Sequence, residues 1–86
     1  MEVKSRFETK ELERVAYILK AVAHPIRIQI FDLLAQAERL NVTEIYELLQ
    51  VEQSLTSHHL TKMKDRGILS CDRQGKSIYY YLTDTK

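Results

Sequence analysis

Two glycines, one proline and one cysteine are all that 86 residues spend on special backbone or redox chemistry. With Cys71 alone no intrachain disulfide can form, which makes a reducing, cytoplasmic setting the default expectation. No apolar run approaches the roughly 18 residues of a membrane-spanning helix. The opening Met1-Glu2-Val3-Lys4-Ser5-Arg6 reads as a frayed lead with no signal-peptide core behind it. No Ser/His/Asp arrangement, paired carboxylate or Gly-rich phosphate loop is present, so the chain does not read as an enzyme and calls for no cofactor. Both glycines, Gly67 and Gly75, are consumed by turns.

What remains is an ordinary globular composition, 44% hydrophobic and 29% charged, in a single domain over residues 1–86. Its core is modest and close to the size at which burial only just offsets chain entropy, so oligomerisation would help it. The net charge of +1 is neutral on nucleic acid, but the charge is uneven. Residues 1–50 carry seven Lys/Arg against eight Asp/Glu, and residues 51–86 carry six against four.

The basic half contains the most informative stretch, Gln53 to Gly67. On a helix turning about 100° per residue, Ser54, Ser57, His58, Thr61 and Asp65 share one side, with Lys62 at its margin. Thr56, His59, Leu60 and Met63 fall on the other. Lys62, Lys64 and Arg66 before Gly67 suit a helix C-terminus. Small polar side chains flanked by cations are what base-edge reading in the major groove of DNA requires; the competing interpretation is a solvated helix face.

From Phe7 to Ala23 the positions Leu12, Val15, Ala16, Leu19, Val22 and Ala23 repeat at three and four, with Glu8, Glu11 and Glu13 near the positive end of the dipole. Tyr17 and Ile18 widen the apolar surface, making this helix a dimer surface, with simple core packing as the alternative. His24-Pro25 breaks it and starts a second helix through about Ala37, expected to be buried on most sides. Leu40 to Val42 has the character of a short edge strand. Thr43 stands where an N-cap belongs, ahead of an inward stripe of Ile45, Leu48 and Leu49. Two short helices joined by Val51-Glu52-Gln53 read as a helix-turn-helix.

Beyond Gly67 the period changes to alternation and predicts a β-hairpin with Gln74-Gly75 as its loop, pairing Arg73 with Lys76, Cys71 with Ile78 and Leu69 with Tyr80. Leu69, Cys71, Ile78, Tyr80 and Leu82 then face the core. Arg73 and Lys76 at the tip could reach phosphates. The expected fold is therefore mainly α with a small β-hairpin: a winged helix-turn-helix with helices at about 7–23, 25–37, 43–50 and 53–66 and wing strands at about 68–73 and 77–82.

Four pieces in order, Ala23-His24-Pro25-Ile26-Arg27-Ile28, Gln53-Ser54-Leu55-Thr56-Ser57-His58-His59-Leu60, Arg66-Gly67-Ile68-Leu69 and the wing Arg73 to Leu82, resemble the ArsR (ArsR/SmtB) family of bacterial winged-helix repressors. The resemblance implies a homodimeric regulator whose recognition helices enter successive major grooves of a pseudo-palindromic double-stranded operator. Family members usually repress when free and leave DNA on binding an inducer; nothing here identifies one. Metal-sensing members place thiols where this chain reads Asn41-Val42-Thr43-Glu44-Ile45-Tyr46, or ligands on a C-terminal helix beyond the wing, so no metal is expected. The first helix is then expected to hold the pair together through Leu12, Val15, Leu19 and Val22.

On this reading Gln53, Ser54, Ser57 and His58 contact bases, and Thr56, Thr61, Lys62, Lys64, Arg73 and Lys76 contact the phosphate backbone. Leu55 lies against a thymine methyl or the neighbouring helix. His59 is a hydrogen-bonded semi-core histidine and Cys71 a small buried hydrophobe. Tyr79 and Tyr81 point outward, packing on a partner or on the first helix. The competing function is a winged-helix module that docks on proteins without touching an operator; a weaker one is an RNA or single-strand binder.

Overall fold

The computed structural model describes residues 8–83, so the lead at 1–6 and Phe7 at the expected helix start lie outside them. The order is α1 (Thr9–Ala21), α2 (Pro25–Gln36), β1 (Leu40–Asn41), α3 (Val42–Leu49), α4 (Gln53–Asp65), β2 (Leu69–Gln74) and β3 (Ser77–Leu82). The strands form one antiparallel sheet in the order β1-β3-β2. This is the expected winged helix-turn-helix, and β1 is the short edge strand expected at 40–42.

Helix α1 stops earlier than its apolar period implies because residue 24 precedes proline. His24 is held extended at φ −153°, as a residue before proline must be, and caps α2 by accepting the Ile26 N–H on Nδ1 at 3.2 Å. Ile26, Ile28 and Ile30, which alternate as strand residues would, wind around α2 instead. Ile30 and Leu34 are buried while Ile28 lies exposed, so α2 is not covered on most sides as its composition implied.

The cap of α3 also differs from expectation. Asn41, not Thr43, sits at the N-cap: its side chain accepts the Glu44 N–H at 2.8 Å, and the Glu44 carboxylate accepts the Asn41 N–H at 2.9 Å. This reciprocal box outcompetes Thr43 because its third-position Glu returns a second bond. Leu48 is exposed rather than inward; Ile45 and Leu49 carry the contact with the core.

The hairpin register is corrected as well. Leu69 pairs with Leu82, Cys71 with Tyr80, Arg73 with Ile78 and Gln74 with Ser77, leaving Gly75-Lys76 as the loop. Gly75, at φ +63°, takes the first central position, the one where a tight hairpin turn can demand glycine. Each partner moves by an even number of residues, so the two side-chain faces survive the correction. Leu69 and Tyr80 join the core, with Cys71, Ile78 and Leu82 packed against it. On the other face, Arg39 pairs with Asp72 at 3.6 Å and lies over the Tyr81 ring, which is how that ring is covered.

Ala21, Val22, Ile30, Leu34, Leu40, Ile45, Leu60, Met63, Ile68, Leu69 and Tyr80 make one core shared by every element. Val22, 8% exposed, belongs to it, which removes Val22 from the expected dimer surface: the chain turns toward α2 there and carries the side chain inward. Thr56 is wholly enclosed and its Oγ1 has no hydrogen-bond partner, so the expected phosphate contact from Thr56 is overturned. Its position on the inner side of α4 decides this.

Two stability changes follow. Thr56→Val, which fills the same shape without a stranded hydroxyl, should raise the unfolding free energy in urea by about 1 kcal/mol, whereas a loss of that size would mean the hydroxyl is satisfied. Asn41→Ala should lower it by about 1 kcal/mol, and an unchanged midpoint would show that the box contributes nothing.

Candidate nucleic-acid interface

Helix α4 owes its placement to two things, its ending and its inner face. Gly67 at φ +77° sends its N–H to the Lys64 carbonyl at 2.9 Å, and the Ile68 N–H reaches the Met63 carbonyl at 3.0 Å. This is the left-handed closure that stops a helix and folds its last apolar residue back, here Ile68 toward Met63. Thr56, His59, Leu60 and Met63 are all buried, so the helix cannot roll about its axis without unpacking them.

That fixes the opposite side. Ser54, His58, Thr61 and Lys62 are exposed together, and Ser57 is half-buried beside them. Gln53 is exposed at the first helical position. No side chain caps the first turn of α4, which leaves the N–H groups there available to water or to an anionic partner. Leu55 is also exposed in that turn, so it does not pack into the neighbouring helix as one expectation had it.

The wing comes up beside the start of α4. Gln53, Ser57, Lys76, Ser77 and Thr43 line one cleft of about 240 Å³, open to solvent. The structure thus brings two of the predicted base-contact residues, Gln53 and Ser57, together with one predicted phosphate contact, Lys76. Thr43, expected only as a helix cap, and Ser77 had not been expected at this cleft. The polar start of α3 was visible in the sequence, but only the fold sets it across from the wing tip. Arg73 is exposed on β2 near the hairpin loop. Lys64 is exposed on the sheet side of α4: it counteracts burial and the neighbouring Cys71, which together push the Tyr80 hydroxyl above its usual range.

His58 and His59 diverge as adjacent helical residues must. His58 is exposed, whereas His59 is buried and accepts a hydrogen bond from Arg27 Nε on Nδ1 at 3.0 Å. The expectation of a hydrogen-bonded core histidine is met. Burial first, and then the nearby His24, Arg27 and His58, hold its pKa below the ordinary 6.5.

Helix α1 touches the core through Ile18, Ala21 and Val22 and is tied to the end of α4 by Tyr17, whose hydroxyl donates to the Arg66 carbonyl at 2.9 Å. Its other apolar row is open: Leu12 and Val15 are each 45% exposed and Leu19 62%. Three large aliphatic side chains in one helical row, uncovered on a domain this small, are what a subunit contact leaves on an isolated protomer. Among the described residues no helix is long and apolar enough to cross a membrane.

Comparison with known proteins agrees with this geometry. Residues 24–70 match the family described as "Bacterial regulatory protein, arsR family". The chain is 40% identical over 84 residues to the transcriptional repressor PagR of Bacillus anthracis, covering 98% of this chain and 84% of that one. The crystal structure of PagR superposes with a TM-score of 0.76 at 42% identity, covering 90% of this chain and 87% of that chain. A homodimeric winged helix-turn-helix DNA-binding domain of Mb0332 from Mycobacterium bovis does so with a TM-score of 0.74 at 31% identity, covering 98% and 77%. The exposed polar row on α4, the wing beside it and these likenesses lead to one assignment: the chain is a winged helix-turn-helix member of the bacterial arsR family of regulatory proteins.

Proposed function

We propose that this chain is a cytoplasmic, non-enzymatic transcriptional repressor that binds a pseudo-palindromic double-stranded operator as a homodimer. The observation that carries the reading is the two-sidedness of α4. Its buried side locks it to the core, and Ser54, Ser57 and His58 project from the other with Gln53 at the leading end. Such a helix offers donors and acceptors to base edges while Lys62, Lys64, Arg73 and Lys76 hold phosphates on either side. Thr61 remains a phosphate candidate and Thr56 does not. Pairing through Leu12, Val15 and Leu19 would present two such helices on a common face, which is what a two-fold operator demands.

Titration of a palindromic duplex pool by fluorescence anisotropy tests the reading. Ser57→Ala and His58→Ala should each weaken binding by about 1–2 kcal/mol and loosen base preference at one position. Lys76→Glu should weaken binding to all sequences alike and make the dependence of affinity on salt shallower. If all three variants bind duplex as the unaltered chain does, the helix is not the reading element, and a protein partner takes its place as the explanation.

Sedimentation at micromolar concentration examines the pairing. The unaltered chain should run as a dimer and the double variant Leu12→Glu/Leu19→Glu as a folded monomer, because two charges in the shared row cannot be buried without partners. A dimer that survives the double variant would place the interface elsewhere.

A further inference from the structure

Arg27 does more than occupy the start of α2. Its guanidinium reaches two other helices at once: Nη1 donates to the Ala21 carbonyl at the end of α1 at 3.2 Å, and Nε donates to His59 Nδ1 in the middle of α4 at 3.0 Å. The helix that carries the candidate dimer surface and the helix that carries the candidate base contacts are therefore joined through one side chain. His24 adds to the joint, its ring 4.3 Å from that of His59 and tilted by 46°. His58 meets His59 edge-on at 5.4 Å from the solvent side.

The chemistry of this joint permits one protonation state. A guanidinium has donors only and cannot give up its proton, so Nδ1 of His59 must be bare and the ring must carry its single proton on Nε2. Adding a second proton would set an N–H against an N–H and a cation against a cation. His59 is only 4% exposed, so water cannot replace the lost bond at that depth. The charged or titratable groups acting on it are His24 from the α1–α2 connection, Arg27 from α2 and His58 from α4, all of them cations or able to become so.

We propose that Arg27 is a positioning residue for the recognition helix, acting through His59, and that this link makes duplex affinity fall as the solution becomes acid. The proposal rests on the duplex-binding reading above. Linkage sets the direction for the folded arrangement, and affinity follows it because the Arg27–His59 bond helps to seat α4. A histidine held below its unfolded pKa supports the folded arrangement fully above about pH 6.5, and that support drains away as the pH falls from there toward the folded value.

The test is made with His59 as the one imidazole left in the chain. In a His24→Asn/His58→Gln chain, where Asn still caps the helix, duplex affinity should fall about fivefold between about pH 7.5 and about pH 5.5. Adding His59→Asn, which keeps an acceptor close to the Nδ1 position and does not titrate, should flatten the profile; an unchanged slope overturns the proposal. If no duplex binding is seen at about pH 7.5 in the unaltered chain, the operator reading fails on its own account. The link is then decided by urea unfolding, where an acid loss of stability removed by His59→Asn supports it and one that persists refutes it. Nitrogen NMR of the unaltered chain gives an answer independent of any variant: at about pH 7.5 the His59 proton should sit on Nε2, and finding it on Nδ1 contradicts the proposal.

Discussion

Leu60 and Met63, both completely enclosed on a helix packed against α2, α3 and β2, hold everything else in this protein to a single orientation. They sit three residues apart on the inner side of α4, close enough in angle to act as one apolar keel, and Thr56 and His59 extend it toward either end. A helix fixed at four buried positions has no rotational freedom left. Its other side must then face outward whatever residues occupy it, so the serines and the histidine there are displayed by packing rather than by any preference of their own. The same keel sets the helix beside the wing, because Ile68 and Leu69 continue the core directly from the turn at Gly67.

The periodicities that describe this keel were plain in the sequence, and so were the helix-turn-helix and the side-chain faces of the hairpin. Less legible were features decided by competition between neighbours. Asn41 and Thr43 are both good caps, and only the returning bond from Glu44 separates them. Gln74-Gly75 and Gly75-Lys76 are both plausible loops for one glycine, and the choice depends on which central position needs a positive φ. Val22 and Leu19 have the same apolar character, yet one is 8% exposed and the other 62%, because the chain bends into α2 just beyond α1. Thr56 could not be assigned from its hydroxyl alone: local chemistry marked it polar while helical angle marked it internal, and angle won. Among the candidate site residues, the meeting of Thr43 and Ser77 with Gln53 and Lys76 depends on separate elements converging and leaves no local trace.

The order Leu55-Thr56 places an aliphatic side chain in solvent at the leading turn of α4 and an unpaired hydroxyl in the core one residue later, the reverse of what burial alone would select. Local rules are most often broken where function, not stability, sets the residue. The open row on α1 belongs to the same class of exception. Leu12, Val15 and Leu19 lie outside the protomer's own core, and a domain of this size gains most from having such a surface covered. Arg27 joins these two exceptions structurally, being bonded to the end of α1 and to the middle of α4 at once.

Selection of bound duplexes from a random library examines the central claim, that the outward row of α4 reads DNA in a symmetric pair, more directly than any single substitution. Recovered sequences should share two inverted half-sites whose centres lie about one helical turn apart. Recovery of no common sequence, or of a single half-site without its inverted mate, would contradict it.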